Sequence, residues 1–469
     1  MNSSNIFFKG LNETQKKAVI ETEGPCLVAA GAGSGKTRVL TTRLAHIINE
    51  KKAWPNQILC VTFTNKAAKE MQNRVLKLIS GKSTSVPWLG TFHSTSVKFL
   101  RRHAEALGLK SNFTILDTDD QKKLLRKICK AENIDAKKIS PSFIITIIDK
   151  WKNKGLLPED IKLKKSDELE KLVLGVYKIY QNKIRDLNAC DFGDLILYCV
   201  KLFENNDDIR EIYKKNFKYI LVDEYQDTNF IQNKWLSLLV NDNRNICCVG
   251  DDDQSIYSWR GAEIKNFLGF DKIYDNCKIF KLEQNYRSTN KILSVANSLI
   301  SNNKERLGKN LWTESTEGSP VYIYEAYNGD DESNFIVEKI QEHLSSGGKR
   351  SDVALLYRSN FLSRRLEEEL NSRSIPYKIF GGFRFFERAE VKDVIAYLRL
   401  SVNTSDDSAF ERTVNNPPRG LGEKTIQLIR NYSKENSISM WETINQIEKT
   451  EITGTRAINA LNSFISISI

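Results

Sequence analysis

Eight consecutive residues, Ala30-Gly31-Ala32-Gly33-Ser34-Gly35-Lys36-Thr37, have the types that grip a nucleoside triphosphate. The glycines let backbone N–H groups turn inward around phosphate oxygens. A lysine at position 36 reaches the β- and γ-phosphates, and the Thr37 hydroxyl suits a Mg²⁺ ion. The strict pattern asks for glycine at position 30, where this chain has Ala30. A second group of chemical side chains comes nearly two hundred residues later. There Leu221-Val222 runs into Asp223 and Glu224, followed by Tyr225-Gln226-Asp227-Thr228. Asp223 suits a metal held through water, and Glu224 suits the orientation and deprotonation of an attacking water. The third group is Gly250 to Ala262. Its Gln254 amide is placed to touch a γ-phosphate, and Tyr257, Trp259 and Arg260 suit stacking on unpaired bases. A core tryptophan is the competing reading of Trp259. The Asp-rich flank and Arg260 favour exposure.

Each group needs an element to deliver it. Pro25–Ala29 reads as a buried strand feeding the glycine run, and Arg38–Ile48 as the helix after it, whose N-terminus adds its positive dipole end. Ile58–Phe63 is a further strand and Asn65–Ile79 an amphipathic helix. Tyr219–Val222 and Ile246–Val249 are strands that end where the acids begin, which is where ligands sit in open α/β sheets. The alternation predicts an α/β fold with a parallel sheet. From about residue 95 to 215 the pattern is helical and Lys-rich, an insertion into that fold, with Gly155–Pro158 as a connector. Ile279–Leu282 leads out of the first unit. Val321–Ala326 and Val353–Tyr357 read as strands of a second α/β unit, and the pattern turns helical again after Phe386.

The chain has 469 residues, enough for two to four domains, with a formal net charge of +11 that favours polyanionic partners. No apolar run reaches membrane-spanning length and no secretory leader opens the sequence, so the expected compartment is cytoplasmic. Eight cysteines without a Cys-x-x-Cys pair point to neither a disulfide framework nor a zinc site.

Taken together and in order, these motifs resemble the UvrD/Rep/PcrA family of superfamily 1 DNA helicases, over Leu11 to about residue 425. Ala30 to Thr37 matches that family's phosphate loop as it stands. Leu11–Val19 is similar to its adenine-reading element, with Gln15 as reader. Val61–Met71, which holds Phe63 and Asn65, and Gly90–Ser94, which holds His93, resemble its single-strand contacts. Asp191-Phe192-Gly193-Asp194-Leu195 resembles another, although Gly193 stands where the family leads one to expect an acid. Leu282–Ser288 resembles the motif that stacks Tyr286 near adenine and points Arg287 at the γ-phosphate. Leu355–Asn360 resembles a second-domain DNA contact through Tyr357, Arg358 and Asn360. Without the resemblance, Phe63 and Phe192 read equally as core residues, and His93 reads as a satisfied buried histidine.

The resemblance implies two RecA-like P-loop NTPase domains with helical insertions. The first domain covers 1–88 and 195–278, with an insertion over 89–194. The second covers 279–378, followed by an insertion over 379–469. It implies ATP and Mg²⁺ as cofactors, with Ala30, Gly31, Ala32, Gly33, Ser34, Gly35, Lys36, Thr37 and Arg38 around the phosphates and Thr37 and Asp223 at the metal. It implies Glu224, Lys36, Arg287 and Gln254 as the catalytic set. The implied partners are single-stranded DNA and its junctions with duplex, engaged by a monomer or weak dimer moving 3′ to 5′. Two late family motifs, one of them carrying a second arginine finger, are not found. The expectation is therefore a second RecA-like domain left incomplete, a chain that is C-terminally truncated, and weak hydrolysis. The alternative is an ATP-gated single-strand clamp without processive unwinding. A small-molecule P-loop kinase needs neither the aromatic-Arg cluster nor a basic helical insertion.

Overall fold

The computed structural model describes residues 8–79, 85–135, 139–162, 167–315, 318–380, 389–446 and 454–467. Its strands are β1 (Cys26–Ala30), β2 (Ile58–Thr62), β3 (Leu89–Thr91), β4 (Thr114–Leu116), β5 (Ala189–Asp191), β6 (Tyr219–Val222), β7 (Ile246–Gly250) and β8 (Lys278–Leu282). Six of them form one sheet in the order β3-β2-β6-β7-β1-β8, with every pairing parallel. The central strands are continuous apolar runs because both faces of the sheet are covered by helices. Leu27, Ala29, Leu59, Val61, Ile220 and Val222 face one core. Their neighbours Cys26, Val28, Ile58, Cys60, Leu221 and Val249 face the other. The period of two along each strand sorts them. The α/β reading with a parallel sheet holds.

One boundary differs from expectation. Ile279–Leu282 does not open a second unit. As β8 it pairs with β1 from Cys26↔Lys278 to Ala30↔Leu282, and the first compact unit continues to Ser319. Without β8, β1 would be a sheet edge with unpaired backbone groups beside the phosphate loop. β8 takes that edge instead, and its exposed Lys278 and Lys281 keep it from pairing further. Tyr286 and Arg287 therefore belong to the same compact unit as Lys36, and not to the second α/β unit as expected.

The insertion between β3 and β6 is helical as read, running from Phe92–Arg102 to Asp207–Asn216. Its own core is built from residues such as Leu125, Ile128, Ile144, Ile148, Val173 and Tyr177. Sequence pattern missed β4 and β5, which pair as a separate two-stranded parallel sheet. At three residues each, they are too short to show a period.

The second compact unit comprises 320–404, 409–433 and 440–469. The strands expected at Val321–Ala326 and Val353–Tyr357 are not formed: among the described residues these segments carry no ladder. Strand propensity without a partner strand leaves the backbone polar groups to water. Ile323 and Leu356 are each 96% exposed. Val353 and Leu355 do pack, with Val337, Ile340 and Leu370 of the helices Gly329–Ser345 and Ser363–Ser372. Phe386 lies outside the described residues. From Ala389 the chain is helical, around a core that includes Leu400, Phe410, Ile429, Trp441 and Phe464.

Candidate nucleotide site and nucleic-acid interface

The phosphate loop leaves the buried end of β1 and enters the helix Lys36–Asn49. Gly33 and Gly35 are left-handed, at φ 68° and 87°, a region that side chains rarely adopt. A Cβ at Gly33 would lie 2.5 Å from Asn285 Nδ2 and 2.8 Å from Arg287 Cβ. The segment after β8 is thus laid directly on the loop. Asn285 Nδ2 donates to Ala32 O at 2.7 Å, Tyr286 N donates to Gly33 O at 3.0 Å, and Gly31 N donates to Leu282 O at 3.0 Å. Arg287 is exposed and its guanidinium makes no ion pair among the described residues.

Gln15 is 1% exposed. It sits in the first turn of the helix Glu13–Ile20, where a capping box with Asn12 orients it. Its Nε2 donates to Ser34 O at 2.8 Å, so the side chain is fixed to the loop. Tyr286 is 54% exposed, and its hydroxyl accepts from Asn12 Nδ2 at 2.9 Å. A cavity of about 250 Å³ opens here, lined by Gln284–Thr289 and Thr313–Ser315. Arg38 turns away: its Nη2 donates to Lys9 O at 2.8 Å.

At the end of β6 the acids face the loop lysine. Lys36 Nζ lies 3.3 Å from Glu224 Oε2. Glu224 itself is left-handed at φ 51°, a strained backbone of the kind found at functional sites. Asp223 is 3% exposed. Burial and then the charge of Glu224 push its carboxyl up to about 6, against the pull of Lys36. Thr62 Oγ1 donates to Asp223 Oδ2 at 3.3 Å, while Asp223 Oδ1 is buried with no hydrogen-bond partner among the described residues. A buried acceptor left open beside a phosphate loop fits a divalent cation.

Gln226, which lies inside the acidic motif, joins the groups. Its Nε2 donates to Glu224 Oε2 at 2.9 Å, and its Oε1 accepts from Asp251 N at 2.9 Å. Gln254 Nε2 donates to Asp251 Oδ2 at 2.6 Å. A continuous chain of polar contacts therefore leads from Lys36 to the loop of Tyr257, Trp259 and Arg260. Trp259 is 66% exposed, so the core reading fails. Arg260 lies over both rings, 5.0 Å from Tyr257 and 4.6 Å from Trp259.

Across the insertion, Phe192 is 50% exposed and meets His93 edge to face at 5.7 Å. Phe192 begins a helix and His93 is the second residue of another, each after a short strand. Burial holds the His93 pKa below its usual value, so the ring is neutral at pH 7. Phe63 is partly buried against the core and packs on Phe92 at 5.6 Å. Asn65 is exposed at the start of its helix. Tyr357, Arg358 and Asn360 lie in the second compact unit, where Arg358 and Asn360 are exposed.

The pattern of the UvrD/REP helicase N-terminal domain matches residues 11–275, and that of the UvrD-like helicase C-terminal domain matches 280–458. This chain belongs to the UvrD/REP helicase family. Relatives named ATP-dependent DNA helicase PcrA, from Staphylococcus epidermidis and Staphylococcus aureus, are 46% and 45% identical over 444 residues. Those matches cover 95% of this chain and 61% of the relatives' length. The family is one of RecA-like ATP-dependent helicases, and the match to its C-terminal domain starts two residues before the end of β8. Among the described residues of this family member, no helix is long and apolar enough to cross a membrane.

Proposed function

We propose that this chain binds ATP in the site around Lys36 and couples its hydrolysis to movement along single-stranded DNA, 3′ to 5′, with unwinding of duplex ahead. The observation that carries this is the polar chain Lys36–Glu224–Gln226–Asp251–Gln254. It ties the nucleotide site to the loop bearing the exposed Tyr257, Trp259 and Arg260. A kinase acting on a small molecule has no use for that connection.

In this reading Lys36 leaves Glu224 to pair with the β- and γ-phosphates. The freed Glu224 accepts a proton from the attacking water. Thr37 and Asp223 would hold Mg²⁺, which when bound would supply positive charge against the phosphates. Arg287, placed on the phosphate loop by Asn285 and without an ion pair among the described residues, stabilises charge on the transferred phosphoryl. Gln15 and Tyr286 flank the base. Loss of the γ-phosphate lets Lys36 return to Glu224, and Gln226 passes that change to Asp251 and Gln254. Phe63, Asn65, His93, Phe192, Tyr257, Trp259 and Arg260 contact the strand, and the second compact unit adds Tyr357, Arg358 and Asn360.

The test is a strand-displacement assay on 3′-tailed and 5′-tailed duplexes, run beside ATP hydrolysis with and without oligothymidine. Displacement of the 3′-tailed duplex alone, lost in Lys36→Ala, is expected. Filter binding that responds to ATP without displacement would instead establish the clamp reading. Hydrolysis indifferent to DNA would sink both.

A further inference from the structure

Lys152 and Asn153 are the last two residues of the helix Pro141–Asn153. Lys152 is wholly buried. Its Nζ lies 2.6 Å from Asp191 Oδ2 and 2.7 Å from Asp194 Oδ1. The same two carboxylates cap the helix that begins at Phe192. Asp191 Oδ1 accepts from Asp194 N at 2.9 Å, and Asp194 Oδ2 accepts from Asp191 N at 3.0 Å. Tyr180 donates to Asp191 at 2.9 Å and Gln181 to Asp194 at 2.8 Å, so the acids keep few free lone pairs. The backbone on both sides of Phe192 is thereby tied to one ammonium group.

Gly193 explains itself in the same place. A Cβ there would lie 2.8 Å from Lys152 Cδ and 3.3 Å from its Cβ. Any larger residue, the acid suggested by resemblance included, would collide with the lysine stem. The neighbouring Asn153 serves the other platform. Its Oδ1 accepts from Asn229 Nδ2 at 3.0 Å, and Asn229 bridges to Ala262. Gly261, left-handed at φ 87°, leaves room beside Asn153 Nδ2, which a Cβ would meet at 3.8 Å. Two consecutive residues of one helix are therefore linked to both platforms, Lys152 directly to the Phe192 turn and Asn153 through Asn229 to the loop of Tyr257 and Trp259.

We infer that Lys152 is a positioning residue for single-strand recognition, which holds Phe192 at a set distance from the Trp259 platform through Asp191, Asp194 and, by way of Asn153, the 257–262 loop. A buried ion pair adds little stability over apolar residues of the same volume, whereas it fixes orientation strictly. The inference rests on the strand contact given to Phe192 above, made by stacking of its exposed ring on a base.

The test measures affinity of the full chain for fluorescent oligothymidine by anisotropy over a salt series. Lys152→Met and Phe192→Ala each weaken binding about tenfold, the scale of one lost stacking contact. The double variant is no weaker than Phe192→Ala alone. The slope of log affinity against log salt is unchanged in Lys152→Met, because this lysine touches no phosphate. Gly193→Ala, which keeps every charge, weakens binding in the same Phe192-dependent way and decides the matter if Lys152→Met does not fold. Multiplying effects, wild-type affinity in both Lys152→Met and Gly193→Ala, or a reduced salt slope overturns the inference. A silent Phe192→Ala overturns the stacking role as well, and so separates the two failures.

Discussion

At the scale of single residues, the nucleotide site is a set of groups each waiting for a counterpart. Among the described residues, Lys36 rests on Glu224, Asp223 keeps one oxygen open, and Arg287 makes no ion pair. Lys36→Ala removes the only charge expected to meet the β- and γ-phosphates from the loop itself. A fluorescent ATP analogue is expected to bind at least about tenfold more weakly, in line with a lost charge-assisted contact, while oligothymidine affinity without nucleotide stays put. Equal losses for both ligands would refute the assignment. His93 gives a pH signature. Burial lowers its folded pKa, so below the unfolded value of 6.5 the unfolded chain binds more protons than the native one. Its contribution to stability is therefore lost as pH falls through that value. Urea unfolding of wild type and His93→Gln should show a constant gap above about pH 7.5, moving in the variant's favour below 6.5. A gap independent of pH would show the ring to be solvated.

At the scale of elements, the loop after β7 is held from behind. Asp251, Asp252 and Asp253 bring three carboxylates within 4.8 Å, a spacing that on its own suits a cation. The cation is protein: Lys309 is fully buried, 3.0 Å from Asp251 and also paired with Asp252. Arg306 grips Asp253 with two donors at 2.9 and 2.6 Å. Leu307 N adds a bond to Asp252 at 2.7 Å. Lys309→Met leaves uncompensated buried charge, expected to cost about 3–5 kcal/mol. Thermal unfolding should register it as a large drop in midpoint, and DNA stimulation of hydrolysis should fall because Gln254 loses its footing. A midpoint within one degree of wild type would argue that the acids are solvated. Neither Lys309 nor Arg306 was legible in the sequence, since they lie over fifty residues from their partners with no motif linking them. Gln226 was hidden differently, inside a motif whose acids claim the chemistry.

At the scale of the molecule, the chain divides into two compact units. Chemical denaturation of the full chain should therefore show two transitions, with ATP raising only the one that belongs to the phosphate-loop unit. At a hundredfold excess over Kd the gain is about 2.7 kcal/mol. A single transition shifted as a whole would mean the units unfold together. The second unit also leaves apolar side chains in water, with Tyr322 at 80%, Ile323 at 96%, Tyr327 at 97% and Leu356 at 96% exposure. Strong binding of a hydrophobic dye is expected, reduced by Ile323→Ser with Leu356→Ser, and a protein that leaves the dye dark would contradict that exposure.

The local code alone determined the α/β class, the strands β1, β2, β6 and β7, and the loop and acid motifs at their ends. Buried parallel strands are apolar throughout and glycine-rich turns have few alternatives, so these signals are complete within a dozen residues. Tertiary structure decided the rest. It moved β8, and with it Tyr286 and Arg287, onto the edge of β1. It left the segments 321–326 and 353–357 without a ladder, because a strand exists only where another strand completes its hydrogen bonds. It also supplied Lys152 and Lys309, whose partners are chosen by packing across long stretches of chain, and the bond from Gln226 to Asp251, made where β6 and β7 lie side by side.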